Sequence, residues 1–282
     1  MQLRVMSFNI RGARDSRDDG LNAWQNRADL NVRTIKDCAP DLIGFQECQP
    51  GNLETYQAHL GAYEFSPGPP TSNPDPARHE YNAIFWRPDR FEALRSGGFW
   101  LSETPHVWSE AWQTACVRAA NWVQLRHLDS GQTFFYLNTH LDHVSKPARQ
   151  RGLALIVAQL NDLNSEKSPL ILSGDFNSNA WNPPHIADTP RADDCHSYLL
   201  QQGFIDTYLA AGQRDSEQAY TYHGFKGIAC DPLAHHGALR IDWVLVRDPH
   251  GQIDVSDAQI IRAEEPPLYP SDHYPVLATL RR

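Results

Sequence analysis

The sequence predicts an α/β protein in which two β-sheets pack face to face and the helices lie outside them. Three observations support this fold class. Short apolar runs typical of buried strands outnumber the helical patterns, and long helices are few. Neither an internal repeat nor a change of composition divides the 282 residues. We therefore expect a single domain that spans residues 1–282.

The predicted strands are short apolar runs bounded by glycine, proline or polar residues. In chain order they cover residues 3–10, 41–45, 81–86, 91–94, 117–125, 133–139, 169–175, 239–246, 252–261 and 275–280. Apolar residues at helical spacing predict helices over residues 24–38, 53–60, 147–164 and 193–202. The prolines in residues 66–79 predict a loop, and we expect two more long irregular segments at 97–115 and 211–238.

The charge balance and the cysteines narrow the possible partners and compartment. With 25 Lys and Arg against 34 Asp and Glu, the formal net charge is −9, and no basic run stands out. Proteins that bind duplex DNA usually carry a basic footprint, so either the substrate is small or a local positive site binds it. The 5 cysteines form no CxxC pair, which indicates a reducing compartment. We expect a cytoplasmic protein with no membrane span, no signal peptide and no obligate protein partner.

Several polar residues share one placement: each lies where an apolar run ends. Ligands gather at strand ends because rigid strands fix the side chains and the loops leave space. Carboxylates that converge there repel one another unless a cation lies between them, and oxygen ligands suit Mg²⁺ or Mn²⁺. The residues with this placement are Asn9, Glu47, His140, Asp175, Asn177, Asp242, Asp272 and His273.

Taken singly, most of these residues have a simpler explanation. An Asp or Asn beyond a strand is more often a turn residue or a helix cap than a catalytic group. Asp242 is different, because a carboxylate within the apolar run of residues 239–246 is costly to bury without a partner. We expect His273 to be that partner.

Together the polar positions form a series of motifs that resembles a known family. The motifs are SFNIRG (7–12), GFQE (44–47), NTHLD (138–142), SGDFNS (173–178), RIDWVLV (240–246) and SDHYPV (271–276). Their order and spacing resemble the endonuclease/exonuclease/phosphatase superfamily, which includes deoxyribonuclease I. The segments NAWQNR (22–27) and NTHLDH (138–143) are similar to an uncharacterised bacterial branch. The resemblance implies a four-layer α/β/β/α sandwich, with two mixed sheets face to face, outer helices and a metal at one end.

The resemblance also implies roles for individual residues around that metal. Glu47 would be the main ligand, and Asn9 and Asp272 would complete or support the shell. Asp175 would orient or deprotonate the attacking water, and Asn177 would hold a phosphate oxygen. The implied cofactor is Mg²⁺ or Mn²⁺, and the implied partner is a phosphoester substrate.

Further residues are implied to act on the phosphate and on the leaving group. His273, polarised by Asp242, would stabilise the charge that develops on phosphorus. His140 lies where deoxyribonuclease I has a histidine, so it would bind phosphate or protonate the leaving oxygen, with Glu80 as its implied partner. Arg118, on a neighbouring strand, would bind phosphate. For Glu80 and Arg118 the interpretation as ordinary surface residues stays equally open.

Arg11 departs from the pattern of the abasic-site endonucleases, which carry an aspartate at this position. A second metal ligand is missing there, and we expect Arg11 to contact phosphate instead. The leading function is a divalent-metal-dependent phosphohydrolase, foremost a phosphodiesterase or nuclease that cleaves P–O bonds with metal-activated water. Hydrolysis of a small or lipid-linked phosphoester is the alternative within the same chemistry.

Two other classes of protein stay open. NTHLDH differs by one residue from the HxHxDH signature of metallo-β-lactamase-like zinc hydrolases, with Asn138 in place of the first histidine. Cys230, His235 and His236 add a loose zinc-like cluster. A protein that keeps the fold only for binding would show broken motifs, and the motifs here are intact.

Overall fold

Twelve strands and five α-helices form the part of the chain that this computed structural model describes. The described residues are 2–13, 20–71, 75–76, 79–186, 189–234 and 237–281. The strands are β1 (Gln2–Asn9), β2 (Leu42–Gln46), β3 (Glu64–Ser66), β4 (Ile84–Trp86), β5 (Phe91–Trp100), β6 (Ala119–His127), β7 (Thr133–His140), β8 (Leu170–Asp175), β9 (Ile205–Asp206), β10 (Asp242–Arg247), β11 (Asp254–Ile260) and β12 (Val276–Arg281). The helices are α1 (Trp24–Cys38), α2 (Pro50–His59), α3 (Lys146–Leu163), α4 (Cys195–Gln201) and α5 (Thr207–Ala210).

The strands form two six-stranded sheets. The first sheet has the order β11-β12-β1-β2-β4-β3, and the second has the order β5-β6-β7-β8-β10-β9. Both sheets are mixed. Strands β1 and β2 pair in parallel, as do β7 and β8, whereas pairs such as β1 with β12 and β8 with β10 are antiparallel.

Three apolar clusters hold the layers together. Between the sheets, side chains of the first sheet such as Val5 pack against side chains of the second sheet such as Tyr136. Helix α1 covers the outer face of the first sheet through residues that include Ile35. Helices α3 and α4 cover the outer face of the second sheet through Ile156 and Leu199. Full burial of one such side chain contributes about 1.5–3 kcal/mol. This four-layer α/β/β/α arrangement confirms the predicted fold.

Strand β5 corrects the prediction for residues 91–94. It continues to Trp100, through a segment predicted to be irregular and containing the pair Gly97-Gly98. A Cβ atom on Gly97 would lie 2.8 Å from the ring of Trp122 on β6. Glycine therefore permits close packing of the two strands here instead of ending the strand.

Other differences from the prediction are smaller. The short strands β3 and β9 and the helix α5 lie in segments for which the sequence predicts no element. Strand β10 begins at Asp242, so this carboxylate lies at the end of a strand and not within one. It is nevertheless buried, as predicted.

The cysteines and the helices bear on the predicted compartment. All the cysteines carry free thiols, and Cys116 is the one that is not buried. Within the described ranges, no helix is both long enough and apolar enough to cross a membrane. The compartment itself stays a prediction.

Candidate active site

Three neighbouring strands of the second sheet place polar side chains in one row. Asp175, the last residue of β8, pairs with His140 at the end of β7 and with Asp242 at the start of β10. Cross-strand partners point to the same face of a sheet, so the three side chains lie side by side. All three are buried. The row forms one wall of the candidate site.

Asn9 connects this wall to the first sheet. It ends β1, next to β2, and Glu47 directly follows β2. The Nδ2 atom of Asn9 donates to Glu47 Oε1 and to Asp175 Oδ2, each at 3.0 Å. Its Oδ1 atom accepts from the backbone N–H of Arg11 at 3.1 Å, which fixes the orientation of the amide. Asn9 therefore positions two carboxylates from opposite sheets.

A serine positions the loop that carries the last predicted motif. The Oγ atom of Ser271 donates to the backbone oxygen of Asn9 at 2.7 Å. The backbone N–H of His273 donates to the same Oγ atom at 3.3 Å. Asp272, between these two residues, is thus held at the end of β1.

A cavity of about 320 Å³ lies among these residues. Acidic, basic and imidazole side chains line it, together with an amide, a thiol and a phenol. They are Arg11, Glu47, Glu80, Cys116, Arg118, His140, His143, Asp175, Asn177, Arg191, Tyr222, Asp272 and His273. All the predicted site residues line the cavity except Asn9 and Asp242, and these two hydrogen-bond to lining residues.

Three lining residues have backbone conformations that non-glycine residues rarely adopt. The φ angles of Arg11, Glu47 and Asn177 are 48°, 60° and 49°. Such conformations cost about 1–3 kcal/mol each and persist where the surrounding contacts enforce them. Other described non-glycine residues also have a positive φ and do not line the cavity, so this feature alone does not mark the cavity as functional; they are Ala39, Trp112, Gln113, Lys167 and Phe225.

His273 is held in its protonated form. Its Nδ1 atom lies 2.9 Å from Asp242 Oδ2. Burial lowers the pKa of His273, but the charges of Asp242 and Asp175 outweigh this and raise it to about 10. Its Nε2 atom lies 3.8 Å from Asp175 Oδ2. At neutral pH, His273 is therefore a cation at the cavity wall.

His140 has the opposite protonation state. Asn177 Oδ1 accepts from Nη1 of Arg191, and Asn177 Nδ2 donates to the backbone oxygen of Leu141 at 3.0 Å, which fixes this amide. The other hydrogen of Nδ2 points to His140 Nε2 at 2.9 Å, so Nε2 must accept it. Burial and the charge of Arg118 lower the pKa of His140 well below its usual value. His140 is thus neutral, and its Nε2 atom has no proton to give to a leaving group.

Asp175 is a carboxylate of increased basicity. Its Oδ2 atom accepts from Asn9, and its Oδ1 atom accepts from the backbone N–H of Asn177 at 2.9 Å. Burial raises the pKa of Asp175, and the charge of Asp242 raises it further. A basic carboxylate held by two donors is suited to take a proton from a water molecule.

Glu80 does not bind His140, its predicted partner. The Nδ1 atom of His140 is buried and has no hydrogen-bond partner in the described part of the chain, so Glu80 does not bind there. Burial and the charge of Glu47 raise the pKa of Glu80 to about 7, although Arg118 lowers it. At neutral pH, Glu80 is therefore about half protonated.

Arg118 lines the cavity, with much of its guanidinium already in use. Its Nε atom lies 3.7 Å from Asp142 Oδ2, and its Nη2 atom lies 3.0 Å from His143 Nδ1. Asp142 is itself fixed by the backbone N–H groups of Val144 and Ser145. The segment NTHLDH therefore holds Arg118 in place.

The oxygen donors around the cavity fit a hard divalent cation. The carboxylates of Glu47, Asp175 and Asp272 line the same cavity. Burial is the largest cause of the raised pKa values of Asp175 and Glu80, and a neighbouring carboxylate raises each of them further. Carboxylate oxygens are the ligands that Mg²⁺ and Mn²⁺ prefer. Glu47 and Asp272 are therefore suited to hold such an ion, with Asn9 supporting Glu47.

The residues of the zinc-hydrolase signature converge only in part: ligand atoms of Asp142 and His143 lie within 4.8 Å of each other and of Cys116, and His140 and His143 line the same cavity. Asn138, in place of its first histidine, lies between the sheets, where its Nδ2 atom donates to the backbone oxygen of Phe45 at 2.7 Å. Of the second zinc-like cluster, His235 and His236 lie outside the described residues, and Cys230 is buried. The geometry thus gives the complete zinc-hydrolase signature no support.

Two arginines of the site were not identified from the sequence. Arg191 lies in the loop between β8 and α4, 13 residues beyond the end of the motif SGDFNS. Arg27 is buried in α1 and donates to the backbone oxygens of Ile10 at 2.7 Å and Pro270 at 2.9 Å. It therefore ties the loop after β1 to the loop before β12. The motif NAWQNR, which ends at Arg27, is a signal that could have found it.

Comparisons with known proteins agree with this geometry. The Endonuclease/Exonuclease/phosphatase family matches residues 6–273. An endonuclease/exonuclease/phosphatase from Bacteroides vulgatus is 31% identical, with a TM-score of 0.83 over 100% of this chain and 99% of that chain. A mannosyl-6-phosphatase from Bacteroides thetaiotaomicron is 26% identical, with a TM-score of 0.83 over 99% of this chain and 100% of that chain.

More distant similarities bear on the fold alone. The catalytic domain of human nocturnin, solved with a bound sulfate, is 20% identical, with a TM-score of 0.74 over 99% of this chain and 94% of that chain. The bacterial branch indicated by residues 22–27 stays a prediction. The match along nearly the whole chain and the 31% identity lead to one conclusion: the chain belongs to the endonuclease/exonuclease/phosphatase family of phosphoester hydrolases.

Proposed function

We propose that the protein hydrolyses the phosphoester bond of a small substrate with the help of a divalent cation. One observation carries this proposal. The amide nitrogen of Asn9 lies 3.0 Å from both Glu47 and Asp175, beside the imidazolium of His273. A carboxylate for a metal, an acceptor for a proton and a cation for the phosphate thus surround one cavity. These are the parts that attack of water on a phosphoester requires.

The proposed reaction assigns a task to each of these side chains. Asp175 takes a proton from the attacking water, whose oxygen forms a bond to phosphorus. The bond from phosphorus to the ester oxygen breaks, and that oxygen takes up one proton to become an alcohol. His273 donates from Nε2 to a phosphoryl oxygen, where negative charge increases. Asp242 keeps His273 protonated and oriented.

The metal would be held by Glu47 and Asp272. When bound, Mg²⁺ or Mn²⁺ withdraws charge from a phosphoryl oxygen and increases the acidity of bound water. Asn9 orients Glu47 through its amide nitrogen, so it supports this site without turning an oxygen towards it.

The size and charge of the site favour a small substrate. The cavity of about 320 Å³ is at the low end of the range of about 300–1,000 Å³ for small-molecule sites. A net charge of −9 is unfavourable for binding a long polyanion. A protein similar along both whole chains is described as a mannosyl-6-phosphatase. A phosphorylated sugar is therefore a good first substrate, and a nuclease is the second candidate.

The test is a panel of sugar phosphates, nucleotides, inositol phosphates, single-stranded DNA and RNA with Mg²⁺ or Mn²⁺. We expect release of phosphate from a small ester, loss of activity with a chelator, and recovery on addition of the ion. Asp175→Asn should lower kcat by about 10²–10⁴-fold, because the proton acceptor is lost. Asp162→Asn, on the exposed face of α3, is the matched control and should leave kcat unchanged.

Full activity in the Asp175→Asn protein, or activity that resists the chelator, would contradict the proposal. Salt separates the two candidate substrates. Activity on nucleic acid should fall steeply between low and high salt, because cations are displaced from the phosphate backbone. Turnover of a small ester should change little over the same range.

A further inference from the structure

Arg191 is half-buried, and its partners differ from those of the buried Arg149 and Arg240. Arg149 pairs with Asp193 at 2.7 Å, and Arg240 pairs with Asp206 at 2.7 Å. No carboxylate oxygen of the described residues lies within 4.0 Å of a guanidinium nitrogen of Arg191. Its Nε atom is buried and has no hydrogen-bond partner among those same residues, as is also true of Nε of Arg118 and Nη1 of Arg240. A cation in this state is costly unless an anion completes its surroundings.

The contacts of Arg191 place it at the reacting end of the cavity. Its Nη1 atom donates to Oδ1 of Asn177 and, at 3.4 Å, to the backbone oxygen of the same residue. The backbone N–H of Asn177 in turn donates to Asp175 Oδ1 at 2.9 Å. The guanidinium is thus two contacts away from the proposed proton acceptor. Burial lowers the pKa of Arg191, although the charge of Asp175 raises it.

Glu47 and Arg191 stand at opposite ends of one hydrogen-bonded series. The series runs from Glu47 through Asn9, Asp175 and Asn177 to Arg191. A phosphate bound along this series would contact a metal ion held at Glu47, the imidazolium of His273 and the guanidinium of Arg191. It therefore meets three positive groups from different directions.

A phosphate monoester and a phosphate diester differ in what they offer to three such groups. The monoester has three non-bridging oxygens and a charge near −2, and the diester has two such oxygens and a charge of −1. A third cationic donor therefore gains more from a monoester. Guanidinium groups suit this task because their planar donors match phosphate oxygens.

We propose that Arg191 binds a terminal oxygen of the substrate phosphate and makes the site selective for monoesters over diesters. This inference rests on the proposed phosphohydrolase function. It assigns to a loop residue outside all six motifs the choice between two substrate classes. The hydrogen bond to Asn177 holds the guanidinium ready when the phosphate arrives.

The experiment compares Arg191→Gln and Arg191→Lys with the wild type on two substrates, p-nitrophenyl phosphate and bis(p-nitrophenyl) phosphate. We expect Arg191→Gln to lower kcat/KM for the monoester by about 10²-fold, the typical effect of losing one donor to a phosphoryl oxygen. For the diester we expect a change of no more than about threefold. Arg191→Lys keeps the charge but not the planar donors, so it should lie between the two.

A binding measurement gives a readout that does not depend on turnover. Titration of inorganic phosphate into the wild type, followed by calorimetry, should give an affinity that Arg191→Gln lowers at least about tenfold. Arg126→Gln is the matched control, because this exposed arginine lies on β6 and does not line the cavity. It should change neither the substrate ratio nor the phosphate affinity.

Equal losses on the two substrates would overturn the proposal, because they would mean that Arg191 acts only by positioning Asn177. An unchanged phosphate affinity in Arg191→Gln would overturn it as well. If the wild type hydrolysed neither ester, the proposed function would fail, and the phosphate titration would still decide whether Arg191 binds this anion. Thermal unfolding of each variant separates these outcomes from loss of the fold.

Discussion

Two buried histidine–aspartate pairs lie beside strand β10, in different surroundings. Nδ1 of His273 is 2.9 Å from Asp242 Oδ2, and Nε2 of His196 is 2.7 Å from Asp206 Oδ2. Asp242 begins β10, and Asp206 pairs with Leu245 of the same strand. All four side chains of the two pairs are buried. Each pair consists of a buried imidazole and a buried carboxylate, so the difference between the pairs lies in the residues that surround them.

The charges around His196 and Asp206 are balanced. Nη2 of Arg240 donates to Asp206 Oδ2 at 2.7 Å, and Nε of Arg240 donates to Asp215 Oδ1 at 2.6 Å. Burial raises the pKa of Asp206, but Arg240 and His196 outweigh this and lower it to about 2. The ring of His196 packs edge-on against Trp243, with 4.9 Å between the ring centroids. Nη1 of Arg240 has no hydrogen-bond partner among the described residues, but each carboxylate of this network contacts the arginine, and the network serves the stability of the second sheet.

The charges around His273 and Asp242 are not balanced in this way. Asp175 lies in the neighbouring register position, and its pKa is raised by burial and by the charge of Asp242. The Oδ1 atom of Asp242 is buried and has no hydrogen-bond partner among the described residues. The comparison teaches that an arginine turns such a pair into a structural element. A pair that has no such arginine and lies beside a cavity can instead act on a ligand.

The substitution Asp242→Asn should have the largest effect on catalysis. His273 loses the charge that keeps it protonated, and we expect kcat to fall by about 10²–10³-fold. The free energy of unfolding should fall less than in the substitution Asp206→Asn described below, because relief of the repulsion on Asp175 offsets part of the loss of the His273 pair. Steady-state kinetics and denaturant unfolding measure the two quantities. If Asp242→Asn lowered the free energy of unfolding by several kcal/mol and left kcat unchanged, Asp242 would have the same structural role as Asp206.

The same substitution in the other pair, Asp206→Asn, should have its effect on stability. Arg240 loses a buried partner, and we expect the free energy of unfolding to fall by about 3–5 kcal/mol. The kcat of the folded protein should be unchanged. The stability that Asp206 contributes is present above its unfolded pKa of about 3.9 and is lost as the pH falls through its folded pKa of about 2.

Unfolding by denaturant at a series of acidic pH values checks this sign. Between about pH 4 and pH 2, the wild type should lose about 2 kcal/mol more than Asp206→Asn loses. Parallel pH dependence in the two proteins would show that Asp206 is not the group responsible.

The sequence indicated one of these two pairs and not the other. Asp242 and His273 belong to motifs that end or begin apolar runs, so their convergence could be predicted from strand ends. Asp206 lies in a strand of two residues, too short for a periodic pattern, and its partner Arg240 comes from a distant part of the chain. Charge balance across such distances depends on tertiary packing and has no local signal.

The same limit explains what was missed within the site. Arg27 belongs to a recognised motif, but its acceptors are backbone oxygens, among them that of Pro270, which no side-chain pattern reveals. Arg191 lies in a loop whose path depends on contacts such as the backbone hydrogen bond from Asn179 to Arg191. Residues 97–115 were predicted to be irregular because the contact between Gly97 and Trp122 is not visible in the sequence.

We expect the smallest effect on kcat from substitution of His140. This substitution tests whether His140 donates a proton or only positions Asn177. Its Nε2 atom accepts from Asn177, so glutamine, which also offers an acceptor, should replace it with a loss of kcat within about tenfold. His140→Ala removes the acceptor and should lose more. A substrate with an alkyl leaving group is needed, because such an oxygen leaves only when it takes up a proton. If His140 were the proton donor, both variants would lose about 10²–10⁴-fold and the alkaline limb of the pH–rate profile would disappear. A profile of unchanged shape in His140→Gln would instead place His140 as the residue that positions Asn177.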